Sequence, residues 1–204
     1  MRAGALLVGR ACYNRVVHAK SIPSGRPIRG LKRSEYDQLV ALGALRDEKV
    51  ELLYGLIVRM SPQKFPHAFA IKRLTALLIP PLSGRADVCI QLPFAASDES
   101  EPEPDVAIVP VIDTARDHPH EAFLVIEVAE SSLNDDRTTK RRLYAEAGVP
   151  EYWIVNLVDM QVEVHTKVEG GDYTVVTYHG PGETLRVPSF EDVTIAVSEV
   201  LPRP

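Results

Sequence analysis

Three residues whose types and spacing could do chemistry stand out in this chain: Asp105, Glu127 and Lys140. Glu127 interrupts AFLVIEVA, the most apolar strand-like stretch of the sequence. A carboxylate in a buried strand is costly unless it is paired or bound to metal. Lys140 heads KRRLYAEA, where a helix is expected. At about 100° per residue, Leu143, Tyr144 and Ala147 fall within about 60° of it, while Arg141, Arg142, Ala145 and Glu146 fall on the far side. The lysine therefore lies on the apolar face and requires an anionic partner or a lowered pKa.

Strand alternation puts Phe123, Val125, Glu127 and Ala129 on one face, and Leu124, Ile126 and Val128 on the other. Asp105 opens the neighbouring short stretch DVAIVP and can stand beside Glu127. Two adjacent carboxylates repel each other, and a divalent cation relieves the repulsion. Asp, Glu and Lys then form a metal-hydrolase set. The carboxylates hold Mg²⁺ or Mn²⁺, the ion activates water, and the lysine offsets developing charge. A buried Glu127–Lys140 ion pair without chemistry satisfies the same spacing, because structural pairs also perturb pKa values.

The elements that must position these residues follow from periodicity and punctuation. Residues 1–30 lack sustained periodicity and include the turn cluster IPSGRPIRG, so they read as an N-terminal extension open to disorder, with one domain over 31–204. Ser34 is placed to cap a helix over SEYDQLVALGAL that ends near Gly43. VELLYGLIVRM predicts two strands turning near Tyr54-Gly55. Apolar residues recur at helical spacing from His67 to Leu78, and Pro80-Pro81 is expected to stop that helix. DVCIQLPFAA and DVAIVP read as strands around the polar loop SDESEPEP. AFLVIEVA reads as a strand covered on both faces. Asp135 or Asp136 starts the next helix, its acidic first turn suiting the macrodipole, and Gly148 with Pro150 ends it. YWIVNL is then parallel to AFLVIEVA if the helix is a right-handed crossover. MQVEVHTK and DYTVVTY make a hairpin around Glu169-Gly170-Gly171, and GETLRV and a short helix near Ser198 close the chain. This order predicts an α/β or α+β sheet with flanking helices.

Length, 204 residues, suits one domain with a sizeable core. No apolar run approaches the ~18 residues of a membrane span. The opening MRAGALLVGR carries a short apolar run closed by Arg10, at the lower limit of a signal-peptide core, and reads as a loose basic arm. Cys12 and Cys89 are far apart, which argues against a zinc cage or disulfide framework and points to a reducing cytoplasm. The net charge of −5 argues against wrapping duplex by charge alone. Charge is unevenly spread: residues 1–50 hold ten Lys/Arg against four Asp/Glu, and residues 97–136 hold twelve acids against Arg116 alone. An acidic centre beside a basic arm fits a cation site next to a polyanion site, and equally a solvated acidic loop. His118-Pro-His120 lacks further ligands. Arg137, Arg141 and Arg142 read as a solvated helix face. Tyr152 and Trp153 read as core or dimer contacts.

Pro104-Asp105, VIEV around Glu127, DRTTK up to Lys140 and YAEAGVPEYWIV from Tyr144 to Val155 together resemble the Uma-two family of restriction-endonuclease-like proteins, within the PD-(D/E)XK nuclease superfamily. KRSEYDQLVALGAL, VELLYGLIVRMSP and the helix beginning at His67 are similar to the family's N-terminal half. The resemblance implies a mixed central sheet flanked by helices and a Mg²⁺- or Mn²⁺-dependent endonuclease acting on DNA as a homodimer. It implies metal-binding carboxylates at Asp105 and Glu127, with the Val128 backbone carbonyl as a further ligand. It implies a helix-borne lysine at Lys140, which positions or helps deprotonate water, and accessory residues at Glu51 and His67. The usual E-x-K lysine would fall at Ala129, and an acidic residue common after the first-turn glycine is Leu56 here. A non-catalytic dimeric scaffold or nucleic-acid-binding module with the same fold is the alternative.

Overall fold

Helix α1 is Arg33–Ala41 and starts before Ser34, so the serine is not its cap. The Glu35 carboxylate instead accepts a hydrogen bond from the Lys32 backbone amide at 2.9 Å, closing the first turn from inside. The structure is a computed structural model that describes residues 26–111 and 117–202. The N-terminal apolar run with Arg10, Cys12, Asp113 and Arg116 lie outside the described residues.

Strands β1 (Val50–Leu53) and β2 (Leu56–Arg59) pair as an antiparallel hairpin with Leu53 opposite Leu56. Tyr54 and Gly55 have φ of 51° and 79°, the left-handed pair that a two-residue hairpin turn requires. Helix α2, Phe65–Leu82, runs through Pro80 and Pro81 rather than stopping at them. Both prolines are exposed in the last turn, where water can serve the carbonyls they leave unbonded. Leu78 and Leu82, four residues apart and fully buried, hold that turn in the core.

The central sheet has six strands in the order β3 (Asp87–Ile90), β4 (Val106–Val109), β5 (Leu124–Ala129), β6 (Glu151–Asn156), β7 (Gln161–Glu169) and β8 (Asp172–His179). Only β5 and β6 run parallel, so the sheet is mixed. β3 is shorter than its apolar pattern predicts, because Gln91 at φ 50° takes the chain out of extended backbone. β9 (Thr184–Val187) pairs with β10 (Phe190–Ala196), a strand the sequence pattern does not announce. A shift of register between Phe190 and Thr194 breaks its period of two.

Three short helical pieces join β5 to β6: α3 (Leu133–Asp135), a π-helical turn (Asp136–Lys140) and α4 (Arg141–Glu146). They begin ahead of the expected Asp135 or Asp136 start because the Ser132 carbonyl accepts from the amides of both aspartates, at 2.8 and 3.0 Å. The Arg141 amide then reaches back five residues to the Asp136 carbonyl, which defines the π turn. The chain ends with α5, Val197–Val200.

β5 is buried along its whole length. On one face, Leu124, Ile126 and Val128 join α2, β9, β10 and α5 in a core with Trp153. On the other, Val125 and Ala129 pack with Tyr152, Ile154, Phe94, Tyr173 and the buried residues of α4. Ala145, on the far side of the wheel, is buried as well, because β8 covers a second side of α4. Among the described residues no helix is long and apolar enough to cross a membrane.

The β1–β2 turn is tested by Gly55→Ala. A Cβ there would approach the Gly30 Cα to 2.7 Å at a backbone conformation that L side chains avoid. The variant is expected to lose about 1–3 kcal/mol in urea unfolding. An unchanged midpoint would show that the turn relaxes freely.

Candidate active site

β5 presents Glu127 at the C-terminal half of the strand, and the residue before β4 presents Asp105 beside it. The two are locked through the backbone. The Asp105 amide donates to Glu127 Oε2 at 3.4 Å, and the Val128 amide donates to Asp105 Oδ2 at 2.8 Å. The π turn brings Lys140 over the same strand. Its ammonium donates to Glu127 Oε1 at 3.0 Å and forms a second ion pair with Glu51 of β1 at 3.3 Å. Glu51 also accepts from the Glu103 amide at 3.2 Å. His67, in the first turn of α2, places Nε2 3.0 Å from Asp105 Oδ2. It is not a helix cap, since the residue before α2 is Lys64. Asp105, Glu127, Val128, Lys140, Glu51 and His67 thus line one open cleft of about 220 Å³.

Three residues join the cluster without having been singled out from sequence. The Tyr144 hydroxyl donates to Glu127 Oε1 at 2.7 Å. Tyr144 falls on the Lys140 side of the wheel but reads there only as an apolar residue. Gln91 donates to Asp105 Oδ1 at 3.1 Å from its left-handed backbone position, which no sequence pattern signals. Asp136 lines the cleft and is 2 % exposed. Its position four residues before Lys140 was the available signal, masked by its role in an acidic first turn. The other candidates go elsewhere. His118 and His120 are exposed and outside the cleft. Arg137, Arg141 and Arg142 are ion-paired with Glu163, Asp172 and Glu146. Tyr152 and Trp153 are core residues. Leu56 does not line the cleft.

Electrostatics divide the two central carboxylates. Burial opposes ionisation of Asp105, but His67, the Val128 amide and Gln91 outweigh it and hold Asp105 below the usual carboxylate range. Burial pushes Glu127 well above that range. Asp105, Asp136 and Glu51 add to the push, against the opposing pull of Lys140. Burial presses Lys140 to lose its proton, yet Glu127, Glu51 and Asp136 prevail and raise its pKa well above the ordinary lysine value. The neighbouring carboxylates therefore favour the ammonium form of Lys140. Burial raises Asp136 to about 6.

Carboxylates outnumber cations in the cleft lining, seven against Lys49, Arg59, Lys64 and Lys140, so the cleft retains protons that a divalent cation could displace. Its oxygen donors are the hard ligands that Mg²⁺ and Mn²⁺ prefer. Among the described residues no three His, Cys, Asp or Glu side chains converge as a ready ligand cage. That is compatible with Mg²⁺, which is commonly held by one or two carboxylates and keeps several waters.

The π turn is bolted from behind. Arg137 donates to Glu163 Oε1 and Oε2 at 2.6 and 3.0 Å, and Asn156 donates to the same carboxylate at 2.7 Å. Burial opposes ionisation of Glu163, but His165, Arg137 and Asn156 outweigh it and hold its pKa at about 2 against an ordinary 4.5. A depressed folded-state pKa contributes stability that is present above the unfolded value and lost as pH falls toward the folded one. Arg137→Met is therefore expected to cost about 1–3 kcal/mol at pH 7, the arginine being partly exposed. It should also flatten the loss of stability between about pH 4.5 and 2. Urea midpoints at pH 7 and pH 3 check both effects, and equal acid-side losses in the two proteins would rule the clamp out.

Comparison with known proteins follows the same outline. No curated protein matches the sequence. A solved structure from Anabaena variabilis, described as "a putative nuclease belonging to DUF820", superposes with a TM-score of 0.63 at 15% identity. The superposition covers 83% of this chain and 97% of that one, and shows a shared fold. The Uma2 family, described as "Putative restriction endonuclease", matches residues 33–198. That span takes in every strand from β1 to β10 and all the residues that line the cleft. The chain belongs to the Uma2 family.

Proposed function

We propose that this protein is a nuclease that hydrolyses phosphodiester bonds of DNA with Mg²⁺ or Mn²⁺, residues 31–204 forming the nuclease domain and residues 1–30 an extension. The family resemblance and the cysteine usage extend the reading to a cytoplasmic homodimer. One observation carries the catalytic part: a buried lysine lies 3.0 Å from Glu127 and 3.3 Å from Glu51, beside Asp105, at the floor of an open cleft. Asp105 and Glu127 would hold the cation, together with the Val128 carbonyl. Bound there, a divalent ion polarises phosphoryl oxygen and lowers the pKa of water. His67, Gln91 and the Val128 amide keep Asp105 ionised and oriented. Tyr144 and Lys140 fix the Glu127 carboxyl from its other side. Lys140 would position or help deprotonate the water and offset negative charge that develops on the phosphoryl group.

A second reading, a non-catalytic module that keeps the fold, draws on Ala129 in the usual lysine position. It draws also on the hydrogen bonds that already engage both oxygens of Asp105 and of Glu127. Plasmid cleavage with Mg²⁺ or Mn²⁺ separates the two. Wild type should cleave, Glu127→Ala should be inactive, and Lys140→Ala should lose about 10²–10³-fold. Equal activity in all three proteins, or no metal-dependent cleavage by any, would defeat the nuclease reading.

A further inference from the structure

Asp136 is placed in the cleft by a backbone that leaves it little freedom. Its amide donates to the Ser132 carbonyl at 3.0 Å. Its own carbonyl accepts from the Arg141 amide and from the Tyr152 hydroxyl, the latter at 3.2 Å. The next residue, Arg137, is clamped to Glu163 on the opposite side. The residue is 2 % exposed, and among the described residues no donor reaches its buried Oδ2. Lys140, the buried lysine of the cleft, forms its ion pairs with Glu127 and Glu51. A buried carboxylate oxygen facing an acidic cleft without a donor is unfavourable as it stands. A hydrated cation supplies the missing partner, because an ion held by two carboxylates keeps waters whose hydrogens point outward.

We propose that Asp136 is a further oxygen donor toward the cation of this cleft, its Oδ2 accepting hydrogen bonds from the ion's retained water. This rests on the metal-dependent reading above and adds a residue to it. Contact through water also accounts for the absence, among the described residues, of three side chains converging directly on one point. Asp136 and Lys140 stand at the two ends of the π turn; the lysine forms its ion pairs with Glu127 and Glu51, which leaves Asp136 Oδ2 open to the ion's water.

Mn²⁺ binding without nucleic acid, followed by calorimetry and by the paramagnetic signal of free Mn²⁺, tests the proposal on wild type, Asp136→Asn, Asp136→Glu and Asp105→Asn. Asp136→Asn should weaken Mn²⁺ binding by about 10–100-fold. It should also shrink the rise in Tm that Mn²⁺ produces. Asp105→Asn should abolish binding. Asp136→Glu keeps the charge and displaces the oxygen, so it should weaken binding too. Wild-type affinity in Asp136→Glu would reduce the effect to a charge field and overturn the proposal. Wild-type affinity in Asp136→Asn, with binding lost in Asp105→Asn, would overturn it while leaving the metal reading intact. No Mn²⁺ binding by wild type would overturn both.

Discussion

The buried ammonium of Lys140 is the constraint around which this end of the molecule is arranged. Glu127 and Glu51 come from different sheets, β5 of the central sheet and β1 of the hairpin, and both point at the one lysine. Without that charge, two carboxylates would face each other in a site that water reaches poorly, and the hairpin would lose its electrostatic tie to the sheet. The π turn answers the same constraint. Its inner face carries Lys140 and Asp136, while Arg137 reaches the other way to a carboxylate buried against β6 and β7. The turn is thereby held between two charged contacts of opposite orientation.

The two central carboxylates differ because their neighbours differ. Asp105 receives His67, Gln91 and a backbone amide, all of which favour its charged form. Glu127 lies deeper, with three other carboxylates in range and one ammonium to set against them. Neighbouring acids with pKa values driven apart are a recurring arrangement where a site must hold a charge and a proton together. In this cleft the separation is produced by packing: Tyr144 closes the buried side of Glu127, and the first turn of α2 brings His67 to the rim.

Much of the architecture was legible before the fold was known. The hairpins at Tyr54-Gly55 and Gly170-Gly171, the doubly covered β5 and its parallel partner β6 follow from turn residues and period. Errors arose where tertiary contacts overrode a local signal. Pro80 and Pro81 do not end α2, because Leu78 and Leu82 anchor its last turn in the core. Ser34 is not a cap, because Glu35 reaches back to the Lys32 amide. β10 escaped notice because a bulge breaks its alternation. In the site, Glu127 and Lys140 announced themselves by being charged in apolar elements. Gln91 and Tyr144 did not, since a glutamine in a loop and a tyrosine on a greasy face break no pattern.

The amino-acid sequence by itself determined which charged groups must be buried, since period and composition leave Glu127 and Lys140 on inward faces, and it pointed to the family through motifs spread along the chain. The tertiary structure decided which groups meet. Lys140 lies 13 residues from Glu127, and Glu51 reaches it from a separate hairpin. The π turn sets the direction of Asp136, and the convergence of Glu127, Glu51 and Asp136 on one ammonium favours its charged form. Local sequence carries periodicity and capping. It carries no distances between elements, and the protonation of a buried group depends on those distances.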